Sequence, residues 1–239
     1  MSKWMLAGCG IALAMTAVAA EAEAAVLVVR SSGPSAKAFP SGRALPENQS
    51  ITLRGNDVVI LLDSRGTRTL RGPGTYNTSA SAGGSTSAIT ALSGQSNARR
   101  SRVGAVRGAP TGATSGRNVW QADISRSGNV CVVNPADVGL YRAESSVAKR
   151  VTVTEIGSNR AATVEFAAGQ KNAPWPATLP VAVGNKYQVK GSGAVVTLNA
   201  LPIAPVPAGL EGLAQSLIRN DCQAQLDVLI DTFAGPSAS

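Results

Sequence analysis

The chain has 239 residues, of which 44% are apolar and only 15% charged, a composition typical of one large or two small globular domains. It contains no histidine, so it cannot supply a Ser-His-Asp triad, a Cys-His pair or a histidine-ligated metal, and we expect no cofactor or metal site. The net charge of +8 favours contact with acidic surfaces, anionic lipid or anionic polymer, and solubility is the alternative explanation.

Residues 1–24 have the organisation of a secretory signal peptide. Lys3 precedes an apolar run over residues 4–20 that contains no acid and ends in small side chains. We therefore expect a periplasmic or secreted protein, with cleavage near Ala19–Ala24 and no transmembrane span after processing. Two alternatives stay open: a retained membrane helix, for which the run is slightly short, and lipidation of Cys9 in a lipobox-like sequence.

Residues 25–76 are dense in strand signals. Apolar or alternating segments at 26–29, 51–53, 57–62 and 67–70 are separated by glycine-containing turns. The segments recur about every ten residues, a spacing that suits a small β-sandwich, barrel or solenoid.

This stretch resembles the periplasmic FecR-type domain. The resemblance depends on a first strand from Val26 to Arg30, on Gly42 and Leu45, and on the run DVVILLDSRGTRTLRGPGTY that begins at Asp57. It implies a small FecR-like β domain and a regulatory or sensor role in envelope signalling. FecR-type signalling proteins carry a cytoplasmic part and a membrane span ahead of this domain, whereas this chain has the predicted leader there.

Residues 77–117 change in composition to Ser, Gly, Ala and Arg, which indicates a flexible basic linker. Arg99, Arg100, Arg102 and Arg107 make the linker a candidate docking segment for an acidic partner. No large aromatic residue lies among them, and proteins that hold nucleic-acid strands usually add stacking to charge. We therefore expect no nucleic-acid partner, and a solvated linker without any partner is the alternative.

Residues 118–203 return to a β pattern. About seven short strands with turn signals between them predict an antiparallel β-sandwich of immunoglobulin-like type. Trp120 is predicted to lie in its core. Trp175 stands between two prolines and is either a displayed anchor for a partner or a cap on the sandwich core.

Residues 207–234 predict a C-terminal amphipathic helix, or a helix pair split at Asn220-Asp221, because apolar residues recur every three or four positions. Cys222 lies on the apolar stripe. Beyond the leader only Cys131 and Cys222 remain, so an oxidising compartment predicts a disulfide that clamps the helix onto the sandwich. Two buried free thiols are the alternative. The stripe carries little basic charge on its polar side, so we expect it to pack within the molecule.

Catalytic groups do not assemble into a recognisable pattern. The S-x-x-K spacing at Ser146–Lys149 leads into an alternating run, whereas the nucleophile of S-x-x-K enzymes opens a helix. The acidic residues that a glycoside hydrolase would need show no visible pairing; they are Asp57, Asp63, Asp123, Asp137, Glu155 and Glu165. We therefore expect no enzymatic activity.

The sequence as a whole predicts a mainly β protein with a FecR-like domain, an immunoglobulin-like sandwich and a C-terminal helical segment. Its predicted function is that of a non-enzymatic binding or scaffold protein of the bacterial cell envelope, with an envelope protein or an anionic polymer as partner. A FecR-like sensor and an enzyme acting on cell-wall polymer are the alternatives. The sequence predicts no particular oligomeric state.

Overall fold

A computed structural model of the protein describes residues 26–79 and 117–234, apart from residues 192, 206 and 208. Within these ranges the chain forms fourteen β-strands and two α-helices, so the predicted mainly β fold is confirmed. The predicted leader lies outside the described residues, as do Cys9 and the linker arginines, which are Arg99, Arg100, Arg102 and Arg107. No helix in the described ranges has both the length and the apolarity that a membrane span requires.

Residues 26–79 form the N-terminal unit, which contains a four-stranded antiparallel sheet in the order β2-β1-β4-β5 and a two-stranded sheet of β3 and β6. Alternating apolar side chains from both sheets, among them Val28, Ile51 and Leu61, meet in one buried cluster. The strands are β1 Val26–Ser32, β2 Ala44–Leu45, β3 Ser50–Leu53, β4 Val58–Asp63, β5 Gly66–Arg71 and β6 Gly74–Asn77.

The sandwich has a five-stranded sheet in the order β11-β10-β13-β14-β8 and a three-stranded sheet in the order β12-β9-β7. Buried side chains of both sheets, including Leu140, Phe166 and Tyr187, share one core. The strands are β7 Gln121–Asp123, β8 Gly128–Val132, β9 Gly139–Tyr141, β10 Lys149–Glu155, β11 Ala161–Phe166, β12 Asn172–Pro174, β13 Lys186–Lys190 and β14 Val196–Pro202.

Two strand pairings depart from the antiparallel pattern that the sequence predicts. Strand β8 pairs with β14, and β7 pairs with β9, in parallel. A parallel pair requires a crossover connection, and in both cases other strands of the sandwich lie between the paired strands along the chain. Local alternation contains no information on this pairing direction.

The C-terminal segment forms two helices, α1 Gly209–Arg219 and α2 Gln223–Thr232, which together are called the helix pair. The predicted break at Asn220-Asp221 is confirmed, and Asp221 adopts a left-handed backbone with φ of 52°. Leu213, Leu217 and Leu229 are buried among side chains of both β units. The helix pair therefore lies between the N-terminal unit and the sandwich, whereas the sequence predicted contact with the sandwich alone.

Candidate functional site

A polar cleft of about 430 Å³ opens where the N-terminal unit, the sandwich and helix α2 meet. We call it the junction cleft. Its charged side chains come from β1, from β7 and the segments flanking it, and from α2, which are far apart in the sequence. They are Arg30, Arg117, Asp123, Arg126, Asp227 and Asp231.

Asp227 connects the three parts of the molecule. Its Oδ1 accepts a hydrogen bond from Arg30 of the N-terminal unit, and its Oδ2 accepts one from Arg126 of the sandwich at 2.8 Å. Burial raises the pKa of Asp227, but the hydrogen bonds from Arg126 and Arg30 outweigh burial and hold this pKa below its ordinary value. The carboxylate is therefore ionised at neutral pH and bridges two arginines.

Asp123 forms the second centre of the junction cleft. Its side chain is only 7% exposed and pairs with the guanidinium of Arg117, at an Nη2–Oδ2 distance of 2.8 Å, and with that of Arg126, at an Nε–Oδ2 distance of 3.4 Å. Its Oδ1 accepts a hydrogen bond from the backbone N–H of Ser125 at 2.9 Å. The Arg117 guanidinium also lies 4.8 Å from the ring centroid of Tyr141, in a cation–π contact.

The charges of the junction cleft balance, since three arginines face three aspartates. Each arginine already donates to Asp123 or Asp227, so an anion entering the cleft must compete with internal carboxylates. The arrangement is therefore better suited to holding the two β units in register than to binding a small acidic ligand. A second cavity of about 170 Å³ shares Asp123 and Arg126 and extends along β8 towards the helix break.

The two predicted disulfide partners are brought together. Cys131 and Cys222 lie at disulfide distance, with Cα atoms 5.9 Å apart and a sequence separation of 91. Both are buried in the core that the helix pair shares with the two β units. A cavity of about 150 Å³ adjoins Cys131 and is bordered by Trp120, which is partly buried against the same core.

Gln225, which the sequence interpretation missed, closes the outer edge of β8. Its side-chain Oε1 accepts from the backbone N–H of Cys131 at 2.6 Å, and its Nε2 donates to the carbonyl oxygens of Cys131 and Val119 at 2.8 Å each. The residue is 1% exposed. An edge strand with free backbone groups invites pairing with another chain, so this amide protects β8. The available signal was a lone amide beside Leu226 on the apolar stripe.

Trp175 is held by the core of the sandwich. Its indole N–H donates to the carbonyl of Leu179 at 2.6 Å, and its ring makes an edge-to-face contact with Tyr187 at 5.0 Å between centroids. The side chain is only partly buried, but its polar atom and one ring edge are occupied within the sandwich. This geometry corresponds to the capping alternative, and it places Trp175 away from the residues of the junction cleft.

The acidic residues considered for catalysis have local structural partners. Asp57 accepts from the backbone N–H groups of Ser35 and Arg54, and Asp63 pairs with Arg65. The remaining contacts are Asn134 with Asp137, Ser158 and Asn185 with Glu155, and Arg150 with Glu165. Lys149 of the S-x-x-K spacing is the first residue of β10, so the predicted turn into a strand is confirmed.

Glu211, in the first turn of α1, has a perturbed carboxyl that the sequence interpretation missed. Burial raises its pKa, and the charge of Asp63 raises it further. The perturbation arises where the helix pair meets the N-terminal unit, outside the clefts described above. Within residues 26–79 and 117–234, no group of three histidine, cysteine, aspartate or glutamate side chains is placed to hold a metal ion.

Comparison with known proteins gives no match among protein-family models, curated proteins or solved structures. The FecR-type resemblance of residues 25–76 is not tested by these comparisons and stays a prediction, as do the predicted domain boundaries.

Proposed function

We propose that this protein is exported and acts as a non-enzymatic binding or scaffold protein of the bacterial cell envelope. The observation that carries the proposal is the uneven distribution of charge over two β units that the helix pair holds together. Residues 26–79 contain seven lysines and arginines and three acids, a net charge of +4. Residues 117–234 contain ten lysines and arginines and nine acids, a net charge of +1.

The cations of the N-terminal unit support a role in binding. Lys37, Arg54 and Arg71 are exposed, and none of them has an ion-pair partner among the residues that the structure describes. Their chemistry suits an anionic polymer or an acidic segment of an envelope protein. The linker arginines add to the same charge in the sequence that follows this unit, although their placement is outside the described residues.

The engagement of the carboxylates supports a function without catalysis. A general acid or base needs a carboxyl that is aimed at a substrate, and hydrolysis of a glycan needs two of them. Asp57, Asp123 and Glu155 are instead occupied by turns, by arginines or by neighbouring side chains. Their hydrogen bonds hold the fold together.

Export is supported by the leader and by the cysteine pair. Disulfides persist in oxidising compartments such as the periplasm, and the two cysteines lie within bonding distance. The test is expression of the whole chain in a bacterium, followed by fractionation and intact mass spectrometry. The expected product is a periplasmic chain that begins after one of residues 19–24 and has lost two hydrogens to the disulfide. A full-length, reduced, cytoplasmic chain would overturn export.

Binding is tested with defined probes on the exported protein. We expect salt-dependent binding to polyglutamate or polyphosphate, and a reduction of about tenfold or more in the variant R54E/R71E. The matched control is R160E/K186E, which reverses two exposed charges of the sandwich and is expected to retain binding. Equal binding by both variants would remove the N-terminal unit from the binding account.

A further inference from the structure

One end of the sandwich combines exposed apolar side chains with unpaired lysines. Strand β10 begins, β11 ends, β13 ends and β14 begins at this end, as the pairings of Lys149 with Phe166 and of Val189 with Val196 require. The loops there are residues 124–127, 143–148 and 167–171, together with the described residues between β13 and β14, which are 191 and 193–195. We call this surface the sandwich tip.

Two apolar side chains stand at the sandwich tip. Val147 is 61% exposed and Val195 is 53% exposed, on two different loops. They are the more exposed pair among the four large apolar side chains that are exposed in the described ranges; Ile156 and Val183 belong to the opposite end. Both valines lie on loops at the same end of the sandwich, and exposed apolar side chains flanked by lysines suit insertion into a lipid interface.

The loops of the sandwich tip are fixed to one another. The backbone N–H of Gly169 donates to the carbonyl of Ser145 at 2.6 Å, which connects the 143–148 and 167–171 loops. Gly191, with φ of 96°, lies so close to the Arg150 carbonyl that a side chain there would clash with it. The loops that carry the two valines are therefore held in place by backbone contacts.

The charge of the sandwich tip is positive. Lys149, Lys171 and Lys190 have no ion-pair partner among the described residues, whereas Arg150 is paired with Glu165. Glu144 is the other acid of these loops, and its carboxylate accepts from the backbone N–H of Ser146. Each lysine near an anionic bilayer strengthens binding by about fivefold, and apolar side chains that enter the interface add to this attraction.

We propose that the sandwich tip binds the surface of an anionic lipid bilayer, with Val147 and Val195 inserted among the headgroups and the three lysines beside the lipid phosphates. This is a second binding surface, and it does not depend on the partner of the N-terminal unit. An anionic polymer accounts for the lysines alone, whereas a bilayer also accounts for the exposed valines.

The experiment is co-sedimentation of the mature protein with vesicles of phosphatidylcholine alone or with added phosphatidylglycerol. We expect binding to the phosphatidylglycerol vesicles only. V147D/V195D is expected to reduce the binding constant at least tenfold, and K171E/K190E at least 25-fold, since each reversal removes more than one lysine's contribution. The matched control I156D/V183D, at the opposite end, is expected to bind like the unaltered protein. All substituted side chains are exposed, and circular dichroism checks that each variant is folded.

Three results would overturn the proposal. The first is equal binding to both kinds of vesicle, and the second is equal loss in the tip variant and the control variant. The third is full retention of vesicle binding by V147D/V195D combined with complete competition by soluble polyphosphate, which would assign the lysines to a polymer. R54E/R71E is expected to bind vesicles normally, so failure here and failure of the proposed function are distinguishable.

Discussion

The helix pair contacts the two β units in different ways. Towards the sandwich it uses the Cys131–Cys222 pair, the three hydrogen bonds of Gln225, and a bond from the Asn129 amide to the carbonyl of Asn220 at 2.8 Å. One of these contacts is covalent and the Gln225 hydrogen bonds are buried, so α2 is attached firmly to the sandwich.

Towards the N-terminal unit the helix pair has no covalent bond among the described residues, although the hydroxyl of Thr67 donates a buried hydrogen bond to the carbonyl of Ile230 at 3.1 Å. Leu27, Val29 and Leu62 pack against the helices, and Thr67 bonds to the end of α2 through its backbone N–H, at 2.8 Å from the carbonyl of Phe233. The Arg30–Asp227 ion pair lies at the partly exposed rim. We therefore expect the N-terminal unit to open at a lower free energy than the sandwich, because local stability follows local contacts.

The largest expected effect comes from breaking the covalent contact. In the double variant C131S/C222S, the unfolded chain is no longer constrained by a cross-link over 91 positions and gains conformational entropy. We therefore expect a loss of about 4–5 kcal/mol in the free energy of unfolding. Urea unfolding followed by circular dichroism measures this loss. The unaltered protein in dithiothreitol is the control and should lose a similar amount. Unchanged stability in both samples would contradict the assignment of the cysteine pair.

Removing the side-chain amide of Gln225 tests the hydrogen bonds between α2 and the sandwich. Q225L leaves the backbone N–H and carbonyl of Cys131 and the carbonyl of Val119 without partners, which we expect to cost about 2–4 kcal/mol. The matched control Q223L changes an exposed glutamine of the same helix and should stay within about 0.5 kcal/mol of the unaltered protein. Equal urea midpoints for the two variants would show that β8 does not need this amide.

Breaking the ion pairs of Asp227, which join α2 to the N-terminal unit and to the sandwich, is expected to cost less stability. D227N removes the carboxylate that joins Arg30 and Arg126, and we expect a loss of about 1–3 kcal/mol at neutral pH. The folded-state pKa of Asp227 is lowered, so its contribution is present above pH 3.8 and is lost as pH falls below that value. Urea unfolding at several pH values measures this dependence. Asp231 has no ion-pair partner among the described residues, so D231N is the control, and a loss as large as that of D227N would contradict the assignment.

The smallest expected effect is a gain in stability, at Glu211. Burial and Asp63 raise the pKa of Glu211 in the folded state, so ionisation of Glu211 opposes folding once pH rises above its ordinary value of 4.5. We expect E211Q to stabilise the protein by about 0.5 kcal/mol at pH 7, and the gain to vanish as pH falls below 4.5. The control E47Q replaces an exposed glutamate of the N-terminal unit. A gain that is equal at pH 4 and pH 7 would exclude the titration of Glu211 as its cause.

The helices and most strands could be predicted from the sequence because their signals are local. The three- and four-residue spacing from Leu210 to Phe233 marks the helices, and Asn220-Asp221 marks their break. Such patterns depend on neighbours within one or two turns of the chain. The Cys131–Cys222 pairing spans 91 positions, and it could be predicted only because these two cysteines alone remain beyond the predicted leader.

The junction cleft could not be predicted because it depends on contacts between distant parts of the chain. Arg30 and Asp227 are 197 residues apart, and nothing near either residue indicates the other. The parallel pairing of β8 with β14 has the same character, since alternation sets which face is buried and leaves the partner strand undetermined. The contact of the helix pair with the N-terminal unit was not predicted, because the apolar stripe was assigned to the sandwich alone.

The most direct test of the helix pair's contacts with both β units is amide hydrogen exchange, measured by mass spectrometry on the oxidised protein. We predict that amides of β1, β4 and β5 exchange through an opening of lower free energy than those of β8, β10 and α2. We also predict that D227N accelerates exchange in the first group alone. Equal protection of the two groups, or earlier opening of β8 and α2, would contradict the account.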